Sequence, residues 1–345
     1  MMKQQLVQVA EDMGTKGKGI LAADESSGTI RKRFDGIGVD STEENRRDYR
    51  ELLFRTSDAL SECISGVILF DETLRQSAGD GTPLVQLISD AGSIPGIKID
   101  RGAHALAGTP GEKVTEGLDG LRERLAEYHD LGARFTKWRA VIDIGRGGDR
   151  SIPSAYCIGA NAHALARMAA LSQEQGLVPI VEPEVLMDGD HDIDRCFEAT
   201  EATLKQVYMA LFHQRVLLEG SVLKPNMVLS GKLCADQAGA HEVAEKTVRC
   251  LKRAVPSSVP SIVFLSGGQS DIEATAHLNA MNAGFDTPWN LSFSYGRALQ
   301  GAPLRAWGGA AENGPAAQAA FAHRARMNGL ATRGKWSMEL EQAAA

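Results

Sequence analysis

The chain of 345 residues is 43% hydrophobic and 23% charged, a balance that is typical of globular proteins with a large buried core and argues against disorder. Its formal net charge of -7 argues against general binding to nucleic acid or to acidic membranes, so we expect anion-binding residues to be gathered locally. The composition therefore favours a small anionic ligand.

Five cysteines are scattered without a C-x-x-C pair, and their odd number fits free thiols in a reducing compartment. The first residues, MMKQQLVQVAEDMG, lack the apolar stretch of a signal peptide, and no later run approaches the ~18 apolar residues of a membrane span. We therefore expect a cytoplasmic protein without a membrane or nucleic-acid partner. The cysteines are Cys63, Cys157, Cys196, Cys234 and Cys250.

Eight short apolar runs recur along the chain, and segments with helical period separate them. Runs of this kind are typical of buried parallel strands. The predicted strands lie at 18–25, 66–72, 95–100, 133–141, 177–185, 216–226, 261–268 and 289–297.

Two helices are predicted in the first half of the chain. In the first, Ser41 and Glu44 are expected to form a capping box ahead of an apolar face. The second is predicted over 113–131, with Gly132 just past its end as a stop. The apolar face of the first helix comprises Tyr49, Leu52, Leu53 and Thr56.

A third helix is predicted over 270–283, where Ser270 and Glu273 repeat the capping box. Gly176 and Gly284 are predicted to be helix stops of the same kind as Gly132. The apolar residues of this third helix are Ile272, Ala276 and Met281.

Eight strand and helix units without a Pro/Gly-rich linker predict one closed barrel of the α/β class, a (β/α)8 TIM barrel in a single domain. We expect the barrel, with an N-terminal helical extension, to occupy 1–307. The remainder, 308–345, is rich in Ala and Gly and is predicted to form a last helix and a mobile tail.

Polar residues follow the predicted strands and should meet at one rim, because the carboxyl ends of barrel strands lie together. A single lysine there would ordinarily extend its stem over apolar surface. Beside other cations and partly buried, however, its pKa falls and it becomes a neutral amine that attacks carbonyls. The rim residues are Asp24, Asp71, Lys98, Lys137, Arg139, Glu182, Glu184, Lys224, Ser266 and Arg297.

Glu182 and Glu184 stand two residues apart, so both should point to the same side of one strand. Paired carboxylates suit proton transfer, but ion pairs with Lys137 or Arg139 are an alternative.

A phosphate site is predicted after the last two strands. The stretch SGGQS, 266–270, follows a strand and opens a helix, so its N–H groups can hold a phosphate. FSYGR ends the next strand, and this pair of loops is the usual phosphate site of such barrels. The expected ligand-binding residues are Ser266, Gly267, Gly268, Ser294, Gly296 and Arg297.

No metal or cofactor is expected. The acidic stretch 188–194 lacks the glycine and glutamate of a calcium loop and is predicted to enter a helix. The histidines and cysteines show no zinc spacing.

Several stretches closely resemble the class I, Schiff-base-forming fructose-1,6-bisphosphate aldolases, over about residues 17 to 307. They are GKGILAADESSGTI, TEENRRDYRELLF, GIKIDRG, FTKWRAV, PIVEPEVLMDGDHDIDRC, LLEGSVLKPNMV, FLSGGQS and PWNLSFSYGRALQ.

The resemblance implies metal-free, reversible cleavage of fructose 1,6-bisphosphate to dihydroxyacetone phosphate and glyceraldehyde 3-phosphate, in glycolysis and gluconeogenesis. Lys224 matches the Schiff-base lysine, and Glu182 the acid/base that dehydrates the carbinolamine. Asp24 matches the carboxylate that takes the C4 hydroxyl proton. Lys137 matches the cation beside both, and Glu184 the carboxylate that orients the lysines.

The same resemblance implies further binding residues. Lys98 and Arg33 match basic residues at the substrate end away from the ketose phosphate, and Arg139 is expected to contact substrate. Thr29 stands where animal members commonly have serine. Animal members also end in a tyrosine that reaches the active site, whereas this chain has none after Tyr295, so its proton-exchanging group and its choice between one- and two-phosphate substrates stay open. A homotetramer is implied.

Two other interpretations remain. One is a different Schiff-base barrel, such as a transaldolase-like enzyme acting on monophosphates. The other is a barrel scaffold that binds sugar phosphates or filament partners without catalysis, which the combination of Lys224, Glu182 and Asp24 disfavours.

Overall fold

The computed structural model describes residues 2–342, which form ten strands. Eight of them close, in chain order, into a parallel barrel, and all eight predicted runs are confirmed as barrel strands. The strands are β1 Gly19–Ala23, β2 Ile64–Leu69, β3 Ile94–Lys98, β4 Ala103–Ala105, β5 Lys113–Thr115, β6 Phe135–Ile142, β7 Val178–Val185, β8 Val222–Leu223, β9 Ser261–Phe264 and β10 Asn290–Tyr295.

Helices connect the strands and pack on the outside of the barrel, so the predicted (β/α)8 class and single domain are confirmed. They are α1 Met2–Met13, α2 Ser27–Asp35, α3 Glu43–Phe54, α4 Ser57–Cys63, α5 Asp71–Arg75, α6 Leu84–Asp90, α7 Leu121–Asp130, α8 Ala155–Glu174, α9 Ile193–His213, α10 Ala240–Ala254, α11 Asp271–Gly284, α12 Arg297–Trp307, α13 Gly314–Ala331 and α14 Met338–Gln342. None of these helices has the length and apolar character needed to span a bilayer.

The interior of the barrel is filled by apolar side chains, with the Phe135 ring among them. A Cβ atom added at Gly96 would lie 2.2 Å from that ring, so only glycine fits beside it. Helix α1 closes the amino-terminal end, where Leu6, Ala10 and Met13 join the same cluster. The opposite, carboxyl-terminal end is therefore the open one.

The predicted capping box at Ser41 and Glu44 is wrong. Helix α3 begins one residue later than expected, and its cap is Thr42, whose side chain accepts from the Asn45 N–H at 3.1 Å. This shift puts Asn45 in the position predicted for Glu44. Of the predicted apolar face, only Tyr49 and Leu53 are buried.

The helix predicted over 113–131 is shorter, covering only α7. Its first part, β5, instead pairs antiparallel with β4 in a small hairpin. Gly117 and Gly120 have φ of 130° and 60°, which interrupts any helix before Leu121. The stop at Gly132 is confirmed, because its φ of 102° turns the chain out of the helix.

The capping box at Ser270 and Glu273 is confirmed. Ile272, however, is exposed, and the buried face of α11 instead includes Ala274, Leu278 and Met281. Gly176 turns the chain with a φ of 74°, whereas Gly284 is the last helical residue of α11 and does not have a left-handed φ.

After Gly308 the chain forms α13, which packs on α12, α11 and α4, and then the short helix α14. Glu341 of α14 is buried, where Arg324 donates to it and the Trp336 Nε1–H donates at 2.8 Å. The division at residue 307 and the mobility of the tail stay predictions, and 343–345 lie outside the described residues.

Candidate active site

The open end of the barrel surrounds a cavity of about 410 Å³. Every predicted site residue except Gly268 lines it. Gly268 lies in the adjoining turn with a φ of 79°, packed against Met187. The predicted residues that line the cavity are Asp24, Thr29, Arg33, Lys98, Lys137, Arg139, Glu182, Glu184, Lys224, Ser266, Gly267, Ser294, Gly296 and Arg297.

Two lysines and two carboxylates form a buried cluster at the floor of this cavity. Lys224 Nζ lies 3.1 Å from Glu182 Oε1. Lys137 Nζ lies 2.7 Å from Asp24 Oδ2 and 3.0 Å from Glu182 Oε2. Each of the four side chains is at most 10% exposed. Glu182 is thus shared by both ammonium groups.

The pKa values of the two lysines are shifted in opposite directions. Burial and the nearby charge of Lys137 lower the pKa of Lys224, and its one close carboxylate, Glu182, offsets this only in part. Burial also acts to lower the pKa of Lys137, but Asp24 and Glu182 together outweigh it, so that pKa is raised. Lys224 is therefore the lysine that more readily loses its proton.

The carboxylates of the cluster stay ionised. Burial acts to raise the pKa of Asp24 and of Glu182, but the neighbouring charges of Lys137 and Lys224 outweigh it, so both pKa values are lowered.

The register of the strands explains the cluster. Lys98 of β3 pairs with Lys137 of β6, and Arg139 of β6 pairs with Glu182 of β7. Glu182 and Glu184 both face the cavity, as their spacing predicted. The alternative of ion pairs is observed as well, because Arg139 pairs with Glu184.

The predicted phosphate side of the cavity is formed by two turns. The turn from Ser266 to Ser270 joins β9 to α11, and the capping box fixes it through bonds of 2.8 and 3.2 Å. The second turn, at Gly296, follows the neighbouring strand β10, and Arg297 there opens α12 and is exposed. Within residues 2–342 no carboxylate lies within 4.0 Å of its guanidinium, so this cation can receive an anion.

Ser294 faces the same cavity from the end of β10. Its Oγ is buried, and among the described residues it has no hydrogen-bond partner. Because buried hydroxyl groups ordinarily have a partner, this one is available to a ligand.

The other end of the cavity is also basic. Lys98 Nζ lies 3.3 Å from Asp100 Oδ1 and 5.9 Å from the centre of the Phe70 ring. Thr29 and Ser26 place their hydroxyl groups 3.2 Å apart on the same rim.

Sequence reasoning missed Glu25, which lines the cavity beside Asp24. Its carboxylate accepts from Arg33 and, at 2.8 Å, from Gln300 Nε2, while the buried Arg50 donates to its backbone carbonyl at 3.0 Å. The position of Glu25 directly after Asp24, in the LAADE run, could have indicated that it lines the cavity. Ser26 and Lys32 line the cavity too.

Asp71, predicted at the rim, does not join this cavity. It lies in a neighbouring cavity, where it accepts from Tyr128 OH at 2.9 Å and pairs with Arg75. The end of β2 turns directly into α5 at this point, which carries Asp71 outward.

A larger cavity of about 860 Å³ lies at the closed end, near α1 and the end of α9. Its lining is mostly apolar and includes Leu6, Phe212 and Val216. It lacks the paired lysines and carboxylates, so we assign the chemistry to the smaller cavity.

The stretch 188–194 enters a helix as predicted, since Asp192 caps α9 and accepts from the Arg195 N–H at 2.7 Å. Within the described residues, no group of three His, Cys, Asp or Glu side chains is arranged to hold a metal ion.

Comparisons with family models and with known proteins agree on one family. A family model described as glycolytic fructose-bisphosphate aldolase class-I matches residues 5–345. A probable fructose-bisphosphate aldolase class 1 from Xanthomonas campestris is 60% identical, over 96% of this chain and 98% of its own. The cytosolic fructose-bisphosphate aldolase 6 of Arabidopsis thaliana is 55% identical, over 96% of this chain and 91% of its own.

The fold agrees with that family. Fructose-bisphosphate aldolase from Plasmodium falciparum, solved in complex with TRAP and a small-molecule inhibitor, superposes with a TM-score of 0.95. It is 48% identical, and the match covers 97% of this chain and 96% of that one. The chain therefore belongs to the class-I fructose-bisphosphate aldolase family, whose glycolytic activity it shares.

Proposed function

We propose that the chain cleaves fructose 1,6-bisphosphate reversibly through a Schiff base on Lys224. The observation that carries this proposal is the contact of 3.1 Å between Lys224 Nζ and Glu182 Oε1 inside a buried cluster. Transfer of one proton across this contact turns the ammonium into a neutral amine and the carboxylate into an acid. Both are needed for imine formation.

The steps follow from the cluster. The Lys224 amine adds to the C2 carbonyl, and Glu182 returns the proton to the C2 hydroxyl, which leaves as water. Asp24 then takes the proton of the C4 hydroxyl, the C3–C4 bond breaks, and its electron pair enters the protonated imine. Glyceraldehyde 3-phosphate leaves, and protonation of the enamine at C3 followed by hydrolysis releases dihydroxyacetone phosphate.

Lys137 keeps Asp24 in the form that accepts a proton, since it lies 2.7 Å from that carboxylate. Glu184 orients the basic residues, a role that its pair with Arg139 supports. The ionised Asp24 is thus a general base in the resting site.

The phosphates bind at the two ends of the cavity. The ketose phosphate is held by the N–H groups and side chains of the two turns, and the other end of the substrate by basic and hydroxyl residues. The first set is Ser266, Gly267, Gly268, Ser294, Gly296 and Arg297, and the second is Lys98, Arg139 and Thr29. Arg33, which the resemblance implied for the second set, has its guanidinium beside Gly296, so we include it in the first set.

The enzyme is metal-independent, because the protonated imine takes the electron pair that a metal would otherwise stabilise. It is cytoplasmic, which the free cysteines and a relative named cytosolic support. Homotetramer formation follows from family resemblance. We propose no nucleic acid or membrane as a partner.

A coupled assay of triose phosphate release tests this function. We expect cleavage of fructose 1,6-bisphosphate to exceed that of fructose 1-phosphate and to be unchanged by EDTA. Lys224→Arg should be inactive, since guanidinium stays protonated and cannot form an imine. Loss of activity on chelation, or an active Lys224→Arg variant, would overturn the mechanism, and a preference for monophosphates would favour a transaldolase-like enzyme.

A further inference from the structure

On the side that faces β7, the backbone just beyond Lys224 is not held by strand pairing, although on the β9 side the Pro225 carbonyl accepts from the Leu265 N–H at 3.1 Å. Strand β8 is only two residues long, and its ladder with β7 ends where the Lys224 N–H donates to the Val181 carbonyl at 2.8 Å. Pro225 and, on β7, Pro183 have no N–H, so the ladder cannot continue. Another contact must align the two strand ends.

Asn226 makes that contact. Its Oδ1 accepts from the Val185 N–H of β7 at 3.1 Å, and its Nδ2 donates to Thr200 Oγ1 of α9 at 3.1 Å and to the Met227 carbonyl at 3.0 Å. The residue is 1% exposed. It is not among the described residues that line the catalytic cavity. The side chain therefore supplies a hydrogen bond to β7 where backbone pairing is absent, and it does so without touching substrate.

The chain after Asn226 is anchored in the same way. The Val228 N–H donates to Thr247 Oγ1 of α10 at 2.9 Å, and the Leu229 N–H donates to Cys196 Sγ of α9 at 3.4 Å. Side chains of the outer helices thus hold Val228 and Leu229 of the segment that follows the reactive lysine.

We propose that Asn226 is a positioning residue that holds Lys224 against Glu182, an inference that rests on the proposed imine mechanism. Asn226 lies two residues after Lys224, and Val185 lies three residues after Glu182, so their bond joins the two strands just beyond the reacting pair. Proton transfer between Lys224 and Glu182 requires that their contact stay within hydrogen-bond reach. A displacement of about 1 Å lowers such a rate roughly 100-fold.

Asn226→Ala tests this role against a matched control, Asn161→Ala. Asn161 is also 1% exposed and makes three bonds of the same kind, to Thr115, Lys113 and Cys157, but it supports the β4–β5 hairpin. At a temperature where both variants are folded, we expect Asn226→Ala to lower kcat and the rate of borohydride trapping roughly 10- to 100-fold with KM unchanged. Asn161→Ala should keep the wild-type rate. Equal kcat in the two variants would overturn the proposal.

A second variant, Thr200→Val, keeps the size of the side chain and removes the 3.1 Å bond between Asn226 and Thr200, together with the 3.9 Å contact of the Thr200 hydroxyl with Cys196 Sγ. We expect a smaller loss of kcat, again with KM unchanged. Should Asn226→Ala not fold, an unaltered kcat in Thr200→Val overturns the positioning role. Absence of any adduct on Lys224 in the wild-type enzyme would instead overturn the imine mechanism itself.

Discussion

At the scale of single residues, the environment of each lysine favours Lys224 over Lys137 as the proposed nucleophile. Lys224 and Lys137 are equally buried, but Lys137 faces two carboxylates and Lys224 only one. The pKa of Lys224 is lowered by burial and by the charge of Lys137, whereas the pKa of Lys137 is raised because carboxylates outweigh its burial. The charge of Lys137 thus contributes to the lowered pKa of Lys224.

Lys137→Met should shift imine formation to higher pH. Removing the positive charge raises the pKa of Lys224, so a smaller fraction of its amine is neutral at any given pH. The measurement is the rate of borohydride inactivation with substrate as a function of pH. Lys232→Met, which removes an exposed rim lysine paired with Asp188, is the control and should leave the midpoint unmoved. A midpoint that stays fixed or falls in Lys137→Met would contradict this account.

Ser294→Ala should weaken catalysis without weakening the fold. The Ser294 Oγ has no partner within the described residues, so its loss removes no bond of the resting enzyme. Loss of one hydrogen bond to substrate costs about 1 kcal/mol, roughly a fivefold fall in kcat/KM. Ser292→Ala on the same strand should lower the free energy of unfolding and leave kcat/KM unchanged, since Ser292 Oγ donates to the Lys18 carbonyl at 2.6 Å. Steady-state kinetics and denaturant unfolding that show the same pattern in both variants would refute this assignment.

At the scale of elements, the turn between β9 and α11 owes its shape to the cap of the helix. Ser270 accepts from the Glu273 N–H, and the Glu273 carboxylate accepts from the Ser270 N–H. The turn that precedes this cap carries Ser266 and Gly267 of the proposed phosphate site. We therefore expect the helix cap to affect binding at the proposed phosphate site.

Ser270→Ala should cost about 1 kcal/mol of unfolding free energy and also raise KM. Thr42→Ala removes the comparable cap of α3, which is distant in sequence from the turns of the proposed phosphate site. This variant should destabilise the protein while KM stays constant. Urea unfolding and steady-state kinetics on both variants measure the two effects. An unchanged KM in Ser270→Ala would show that the cap does not hold the binding turn.

The strands and the rim residues could be predicted from the sequence because apolar runs and their polar ends are local patterns. The β4–β5 hairpin could not, since each strand has three residues, too few to show alternation. Nor could the opposite pKa shifts of Lys137 and Lys224, because these depend on register between strands. Asn226 was missed for a similar reason, as its bond to Val185 joins positions 41 residues apart.

At the scale of the whole molecule, the barrel has one open and one closed end. Helix α1 closes the amino-terminal end by placing Leu6, Ala10 and Met13 against the interior cluster. The buried cluster of lysines and carboxylates lies at the opposite end. The residues that stabilise the closed end and the residues proposed for catalysis thus lie at different ends of the barrel.

Leu6→Ala should cost about 2–5 kcal/mol of stability, because the side chain is 3% exposed and its removal leaves a cavity. At low temperature, where the variant is folded, kcat should equal that of the wild type. Met2→Ala is the control, since Met2 is 53% exposed and its truncation should be nearly neutral. Calorimetry and kinetics together test this, and a lower kcat in the folded Leu6→Ala enzyme would contradict the separation of the two ends.

The most direct test of the account is reduction with borohydride in the presence of fructose 1,6-bisphosphate, followed by peptide mass mapping. We expect inactivation with one reduced sugar-phosphate adduct on Lys224, absent from Lys224→Arg. An adduct on Lys98 or Lys137, or inactivation that leaves every lysine unmodified, would contradict it.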